Sequence, residues 1–161
     1  MESIALFGGS FDPPHNGHKA IVEAAQNLKE IDKVVVMPTY LNPFKSKSHL
    51  KADQRLNLVK EMFKDYDNVE VSDFEVLKKQ KTASIVTVKH LLKTYDKIYL
   101  IIGADNLASL DKWQDYDQLK KLVTFIVATR DNIEIPKKYI TLNVDENISS
   151  TEIRGKIAKQ S

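Results

Sequence analysis

Short β-branched segments alternate with longer amphipathic segments along almost the whole chain, and this alternation limits the possible folds more than any other feature. The short segments are residues 3–7, 33–37, 69–71, 97–102, 123–128 and 139–143. Strands that alternate with helices are typical of βαβ units around a parallel sheet. Two of these segments are apolar throughout residues 34–36 and 100–102, which indicates strands covered on both faces. We therefore predict an α/β fold, a parallel sheet with helices on both faces.

Four segments carry apolar residues at helical spacing and predict the helices that accompany these strands. They cover residues 16–28, 52–64 and 84–95, and a short C-terminal helix that begins after Ser149 and Ser150. The irregular stretch of residues 38–51 contains two of the five prolines and three lysines. A loop of this length inside a compact domain is more often functional than not.

Composition excludes several classes of protein. The 161 residues include 24 Lys and Arg against 22 Asp and Glu, and a net charge of +2 gives no reason to expect nucleic acid or an anionic membrane as partner. The chain has no cysteine, which excludes disulfides, thiolate metal sites and a cysteine nucleophile. No apolar run approaches the ~18 residues of a membrane span. We expect one domain, residues 1–161, that is soluble and cytoplasmic.

Four of the five glycines lie at the predicted ends of strands or next to them. Gly8, Gly9 and Gly17 flank the junction between the first strand and the first helix, and Gly103 ends a later strand. Glycine allows close approach of a ligand or of another backbone, and open α/β sheets bind ligands at the carboxyl ends of their strands. The junction has neither the spacing of a dinucleotide fingerprint nor the ending of a P-loop.

His15 and His18 lie three residues apart at the predicted start of the first helix. Free N–H groups and the helix dipole favour an anion there. Transfer of a phosphoryl or nucleotidyl group requires donors placed where negative charge develops, and two imidazoles can supply them. The structural alternative is that His15 caps the loop and His18 packs on the sheet.

Two segments carry a resemblance to a known superfamily. Residues 9–18, Gly-Ser-Phe-Asp-Pro-Pro-His-Asn-Gly-His, resemble the G-x-F-D-x-x-H-x-G-H signature of nucleotidyltransferases, and residues 150–154, Ser-Thr-Glu-Ile-Arg, resemble their second signature, Ser/Thr-Ser/Thr-x-x-Arg. Residues 38–45, 101–106 and 112–113, with Gln54-Arg55, are similar to the bacterial nicotinate-nucleotide adenylyltransferases. The chain lacks the Arg-Gly-Leu-Arg segment of pantetheine-phosphate adenylyltransferases.

The resemblance implies a Rossmann-like fold of the nucleotidyltransferase type and transfer of the adenylyl group of ATP to nicotinate mononucleotide. The products would be nicotinate adenine dinucleotide and pyrophosphate, in a step of NAD biosynthesis. Alternatives are adenylyl transfer to phosphopantetheine in coenzyme A biosynthesis, or a nucleotide-binding homologue with weakened catalysis. Mg²⁺ would arrive with ATP, held by phosphates and water. We predict no metal-binding residue and no nucleic-acid partner, and a homo-oligomer is left open.

The resemblance also implies roles for individual residues. The catalytic residues would be His15, His18 and Arg154. The residues expected to bind ATP are Gly8, Gly9, Ser10, Phe11, Gly17, Gly103, Asp105, Ser150 and Thr151. Lys45 and Trp113 would bind nicotinate mononucleotide, with the indole stacked on the pyridine ring.

Each of these assignments has a structural alternative. Lys45 could be a solvated loop residue, Asp105 a helix cap and Trp113 a half-buried core residue, while Arg154 could be a solvated arginine on a capped helix.

Two features differ from the usual pattern of this subfamily. Ser84-Ile85-Val86 stands where most members have Ser-Tyr-Thr, so contacts that the tyrosine or threonine would make are in question. The chain also ends seven residues after Arg154, whereas most members continue further. A short natural variant and an incomplete C-terminus both remain open.

Overall fold

A computed structural model describes residues 2–40 and 50–144. Within these ranges the chain forms a six-stranded parallel sheet in the order β3-β2-β1-β4-β5-β6. The strands are β1 (Ser3–Gly9), β2 (Lys33–Pro38), β3 (Val69–Val71), β4 (Lys97–Gly103), β5 (Val123–Ala128) and β6 (Ile140–Leu142). All six predicted strands are confirmed, and β3 and β5 have the predicted bounds.

The strand order reverses direction at the centre of the sheet. From β1 the chain moves outward to β2 and β3, and it then returns to place β4 on the other side of β1 before continuing to β5 and β6. Ligands of open α/β sheets bind at such a reversal, outside the carboxyl ends of the strands. Phe7 of β1 pairs with Ile101 of β4, and the glycines that end these two neighbouring strands, Gly9 and Gly103, each lie two residues beyond that pair. The predicted glycine-lined edge is therefore confirmed.

Helices cover both faces of this sheet, as predicted. They are α1 (Asn16–Gln26), α2 (Ala52–Phe63), α3 (Phe74–Lys78), α4 (Ser84–Leu91), a 3-10 helix (Ala104–Lys112) and α5 (Tyr116–Leu122). The predictions for α1, α2 and α4 are confirmed with slightly earlier ends. The predicted C-terminal helix lies outside the described residues, and so do residues 41–49 of the irregular stretch. None of the described helices is long and apolar enough to cross a membrane.

The alternating side chains of the strands fill two cores. Ile4 and Leu6 of β1 belong to one core, which is closed by α4, the 3-10 helix and α5. Ala5 and Phe7 belong to the other, which is closed by α1 and α2. In and just after α1, Val22 and Ala25 are fully buried, whereas Ile21, Ala24 and Leu28 are partly buried against this core.

One buried pair joins α3 to α4. Thr87 Oγ1 donates a hydrogen bond to Glu75 Oε2 at 2.6 Å, and both side chains are buried. Burial raises the pKa of Glu75 from its ordinary value of 4.5 to about 7, against the opposing effect of the hydrogen bond from Thr87. The folded protein therefore keeps the Glu75 proton at pH values where the unfolded chain has released it.

We predict that this carboxyl makes folding weaken as the pH rises between about 4.5 and 7. The native state binds more protons than the unfolded state in this window, so the free energy of unfolding falls by up to ~1.4 kcal/mol per pH unit from this group. Glu75→Gln imitates the protonated form and should flatten that dependence. Denaturant unfolding at several pH values measures how the free energy of unfolding depends on pH. An identical pH dependence in wild type and variant would contradict the prediction.

Candidate active site

The candidate site lies where β1 and β4 end. The chain leaves β1 at Gly9, makes a turn through Phe11, and enters α1 with His15 as its N-cap residue. Gly103 ends the neighbouring strand β4 and is the N-cap residue of the 3-10 helix. Residues from distant parts of the chain therefore meet at one edge of the sheet.

His15 and His18 cap the start of α1 reciprocally. His15 Nδ1 accepts a hydrogen bond from the Gly17 N–H at 3.1 Å, and His18 Nδ1 accepts one from the His15 N–H at 3.0 Å. This is the arrangement of a capping box, in which a Ser or Thr and a Glu or Gln usually play these parts. Because an accepting Nδ1 carries no proton, each neutral ring must carry its proton on Nε2. The cap thus fixes the tautomer of both histidines.

The electrostatics of the pair favour the neutral form. The two rings are stacked with centroids 3.9 Å apart. Burial, and to a smaller extent the neighbouring His15, lowers the pKa of His18 from 6.5 to about 3. Burial also lowers the pKa of His15, and the positive charge of Arg130 lowers it further. Both imidazoles are therefore neutral Nε2–H donors at neutral pH.

The structural alternative for these histidines, capping by His15 and packing by His18, is present together with the donor geometry. His15 does cap the helix, and the His18 ring packs against Phe11 with centroids 4.6 Å apart and against Phe7 at 6.0 Å. These contacts engage Nδ1 and the ring surfaces. The Nε2–H groups remain the donors of the pair, so the structural and the chemical roles use different atoms.

Phe11 holds the turn between β1 and α1 in an uncommon conformation. Its φ of 51° lies in the left-handed region, where a bulky residue is rare and costs of order 1–3 kcal/mol. Its ring is buried, with only 1% of the residue exposed. A Cβ at Gly9 would lie 3.4 Å from this ring, which is an ordinary van der Waals contact, so the ring packs directly against the end of β1.

Gly103 makes room for the Asp105 side chain. A Cβ at Gly103 would lie 2.5 Å from Asp105 Oδ1, so a larger residue here would force the carboxylate to move. The structural alternative for Asp105, a helix cap, does not hold, because Gly103 occupies the N-cap position and Asp105 lies within the first turn. Its carboxylate is instead held beside the end of β4, exposed to solvent.

Trp113 follows the 3-10 helix and is half-buried against the core that contains α4. Its neighbour Gln114 lines a pocket of about 150 Å³, together with Ala83 and Val86 at the start of α4. Lys78 and Lys81 also line this pocket. Trp113 is therefore a half-buried core residue, as its structural alternative has it, but a polar pocket begins at the next residue, Gln114.

The residues that replace Ser-Tyr-Thr lie at the start of α4. Ile85 is buried in the core, with 2% of its surface exposed, whereas Val86 is 40% exposed and lines the pocket beside Gln114. The apolar replacement at position 85 thus serves packing. Ala83, the N-cap residue, makes no side-chain cap bond to α4.

Sequence reasoning missed the organising role of Arg55. This arginine is 1% exposed and donates hydrogen bonds to the Ser10, Thr39 and Tyr40 carbonyls at 2.6–2.8 Å, and to the Leu50 carbonyl at 3.3 Å. The similarity at Gln54-Arg55 was the only signal in the sequence. Nothing in the helical pattern distinguishes a buried arginine from a solvated one.

The structure gives the positions of some of the residues predicted for the site. Nine of them lie at the edge where β1 and β4 end: Gly8, Gly9, Ser10, Phe11, His15, Gly17, His18, Gly103 and Asp105. Lys45, Ser150, Thr151 and Arg154 lie outside the described residues. Arg130, two residues beyond β5, adds a positive charge near His15. Within residues 2–40 and 50–144, no cluster of three or more His, Cys, Asp or Glu could hold a metal ion.

Comparison with known proteins agrees with this geometry. Residues 6–156 match the family model described as cytidylyltransferase-like. A Sulfurimonas denitrificans protein named "Probable nicotinate-nucleotide adenylyltransferase" is 59% identical over 157 residues, covering 98% of this chain and 86% of that protein. A Campylobacter fetus protein of the same name is 48% identical over 157 residues, covering 96% and 87%.

Solved structures share the fold. The Plasmodium falciparum nicotinic acid mononucleotide adenylyltransferase complexed with NaAD aligns with a TM-score of 0.74 at 23% identity. The alignment covers 96% of this chain and 83% of that chain. At this identity the likeness concerns the arrangement of the sheet and its helices.

We predict that the His18 ring stays neutral throughout the range from pH 5 to pH 8. Its pKa is depressed to about 3, so protonation below pH 6.5 favours the unfolded chain and removes stability as the pH falls. A ¹⁵N NMR titration should show an unprotonated Nδ1 and a protonated Nε2 across this range. The acid-unfolded protein provides the control. A titration midpoint near pH 6.5 for the His18 ring in the folded protein would contradict the prediction.

Proposed function

The chain belongs to the cytidylyltransferase-like family and, within it, to the nicotinate-nucleotide adenylyltransferases, and from this premise we propose how it works. It transfers the adenylyl group of ATP to nicotinate mononucleotide, which yields nicotinate adenine dinucleotide and pyrophosphate in NAD biosynthesis. The observation that carries the mechanism is the reciprocal cap of His15 and His18. It presents two neutral donors at the edge of the sheet where this fold binds ligands.

The reaction is a direct displacement at the α-phosphorus of ATP. A phosphate oxygen of the mononucleotide forms the new bond to this phosphorus, while the bond to the bridging oxygen breaks and pyrophosphate leaves with the electron pair. Such a transfer depends mainly on positioning and on donors directed at the developing charge. His15 and His18 donate from Nε2 to the α-phosphate and the departing pyrophosphate. In this scheme they transfer no proton: each ring is neutral in the free protein and keeps its Nε2 proton while it donates a hydrogen bond.

Several further residues support the phosphates in this proposal. The backbone of residues 8–11 lies against the nucleotide, and Asp105 faces the ribose. Arg130 contributes positive charge beside His15, which its effect on the pKa of that ring supports. Ser150, Thr151 and Arg154 bind the β- and γ-phosphates, on the strength of the second signature, and Lys45 binds a phosphate of nicotinate mononucleotide.

The pyridine ring is assigned to the side of the site next to Trp113. The indole stacks on the ring, and the ring's carboxylate is directed to the pocket that Gln114 shares with the start of α4. The backbone N–H groups at the start of α4 have no side-chain cap at Ala83, and Lys78 and Lys81 supply positive charge. A carboxylate accepts from such groups without a donor of its own, which favours the acid over the amide.

Mg²⁺ accompanies ATP in this scheme, held by phosphate oxygens and water, and neutralises part of the phosphate charge. Asp12, the carboxylate nearest in sequence to the histidines, does not fit a metal ligand: its Oδ1 accepts from the Leu50 N–H at 3.0 Å, and it faces the Arg55 guanidinium. No residue is assigned to the ion. We place the reaction in the cytoplasm, in keeping with a chain that has no cysteine.

An assay of pyrophosphate release with three acceptors tests the substrate. We predict the highest kcat/KM with nicotinate mononucleotide, a lower value with nicotinamide mononucleotide, and the lowest with phosphopantetheine. The highest efficiency with phosphopantetheine would instead identify an enzyme of coenzyme A biosynthesis. Tight ATP binding without turnover of any acceptor would identify a catalytically weakened homologue.

His18→Ala tests the donor role. Loss of one such donor should lower kcat by about 10²–10³-fold, which corresponds to ~2.7–4 kcal/mol of transition-state stabilisation. His90→Ala is a matched control, because His90 stacks on Phe74 near the end of α4 with ring centroids 3.9 Å apart, outside the site. In steady-state assays, the kcat of His90→Ala should stay within about twofold of wild type. An equal loss of kcat in both variants would refute the donor role of His18.

A further inference from the structure

Arg55 is a buried cation that the mechanism above does not use. It lies on α2 and is among the largest fully buried side chains of the described residues. Removing a charge from water costs several kcal/mol, and a buried charge is therefore weak evidence for stability. A side chain of this kind calls for an explanation in terms of what it holds in place.

The guanidinium connects three segments that surround the site. Nη1 donates to the Ser10 carbonyl at 2.7 Å and to the Thr39 carbonyl at 2.8 Å, and Nη2 donates to the Tyr40 carbonyl at 2.6 Å. Nε donates to the Leu50 carbonyl, just before α2. One planar fork thus fixes the turn after β1, the residues after β2 and the approach to α2.

A neighbouring set of bonds closes the same network. The Thr39 N–H donates to the Gly9 carbonyl at 2.9 Å, and the Leu50 N–H donates to Asp12 Oδ1 at 3.0 Å. Burial lowers the pKa of the Arg55 guanidinium, and the negative charge of Asp12 opposes that effect. Hydrogen bonds from Arg55, Thr39 and Leu50 therefore all hold the turn that follows β1.

The hydrogen bond from Arg55 to the Ser10 carbonyl is linked to the histidines through the Phe11 ring. Its acceptor belongs to the peptide that precedes Phe11, so it restrains the residue whose φ of 51° lies in the left-handed region. The Phe11 ring, in turn, packs edge-on against His18 with centroids 4.6 Å apart. His18 then caps the His15 N–H. A continuous set of contacts runs from α2 to both donors.

We propose that Arg55 is a positioning residue for adenylyl transfer, because its guanidinium holds the Ser10–Phe11 peptide and, through the Phe11 ring, sets the place of the His18 imidazole. The inference rests on the proposed function, in which His18 donates to the phosphates. Lysine cannot replace this residue, because its single ammonium group lacks the planar fork that reaches several carbonyls at once. A displacement of about 1 Å at a reacting group can cost ~10²-fold in rate.

The kinetic test compares Arg55→Lys with Val59→Ala. Val59 is fully buried one turn further along α2 and its side chain makes no hydrogen bond, so its truncation weakens the same helix while leaving the bonds from Arg55 to the turn after β1 in place. Both variants are assayed at a temperature where all proteins are folded by circular dichroism. Arg55→Lys should lower kcat by about 10–100-fold, whereas Val59→Ala should stay within about twofold of wild type. Losses that are equal in the two variants would overturn the proposal.

An NMR measurement on the ligand-free protein separates this inference from the proposed function. In wild type and in Val59→Ala, the His18 ring protons should show the ring-current shift that the Phe11 ring imposes. In Arg55→Lys, they should move toward their positions in the unfolded chain, and unchanged positions would overturn the proposal. If wild type turns over no acceptor, the proposed function fails, while this readout still decides whether Arg55 positions His18.

A second variant covers the case in which Arg55→Lys does not fold. Phe11→Leu keeps Arg55 and its four carbonyl acceptors but removes the ring that touches His18. It should reproduce both the shift of the His18 ring protons and the loss in kcat. A Phe11→Leu protein with the kcat of wild type would overturn the proposed route from Arg55 to the histidine.

Discussion

The first N–H groups of a helix need acceptors, and in α1 this requirement is met by imidazole nitrogens. Once Nδ1 of His15 and of His18 has accepted a backbone hydrogen bond, the proton of each neutral ring is confined to Nε2. Burial is the main cause that keeps both rings uncharged, and it is assisted at His18 by the neighbouring His15 and at His15 by the positive charge of Arg130. A local folding constraint thereby determines which atom of each histidine is a donor, and the proposed chemistry follows from that assignment.

The rest of the fold serves to bring this helix start to the correct edge. Parallel pairing in the order found here places the ends of β1 and β4 together at the reversal of the sheet. Arg55 and the strained turn at Phe11 stabilise one arrangement of the chain between β1 and α1. Burying a cation and holding a bulky residue at positive φ both oppose stability, so their presence is better explained by positioning than by folding.

The sequence was most informative where a physical signal repeats. Short β-branched segments predicted the six strands, and apolar residues at helical spacing predicted α1, α2 and α4. The helix α3, the 3-10 helix and α5 escaped because each is short or buries few side chains, as α5 does with Leu119 alone. Arg55 escaped because its burial depends on carbonyls from two distant segments, at Ser10 and at Thr39–Tyr40, as well as on the nearby Leu50 carbonyl. The positions of Lys45 and Arg154 remain predictions, since they lie outside the described residues.

A crystal structure with a cleavage-resistant ATP analogue tests the account most directly. We expect Nε2 of His15 and of His18 within about 3.2 Å of phosphate oxygens, while both Nδ1 atoms keep their backbone hydrogen bonds. Phosphates bound away from both rings would contradict the account. So would an Nδ1 that has left its backbone partner to face the nucleotide.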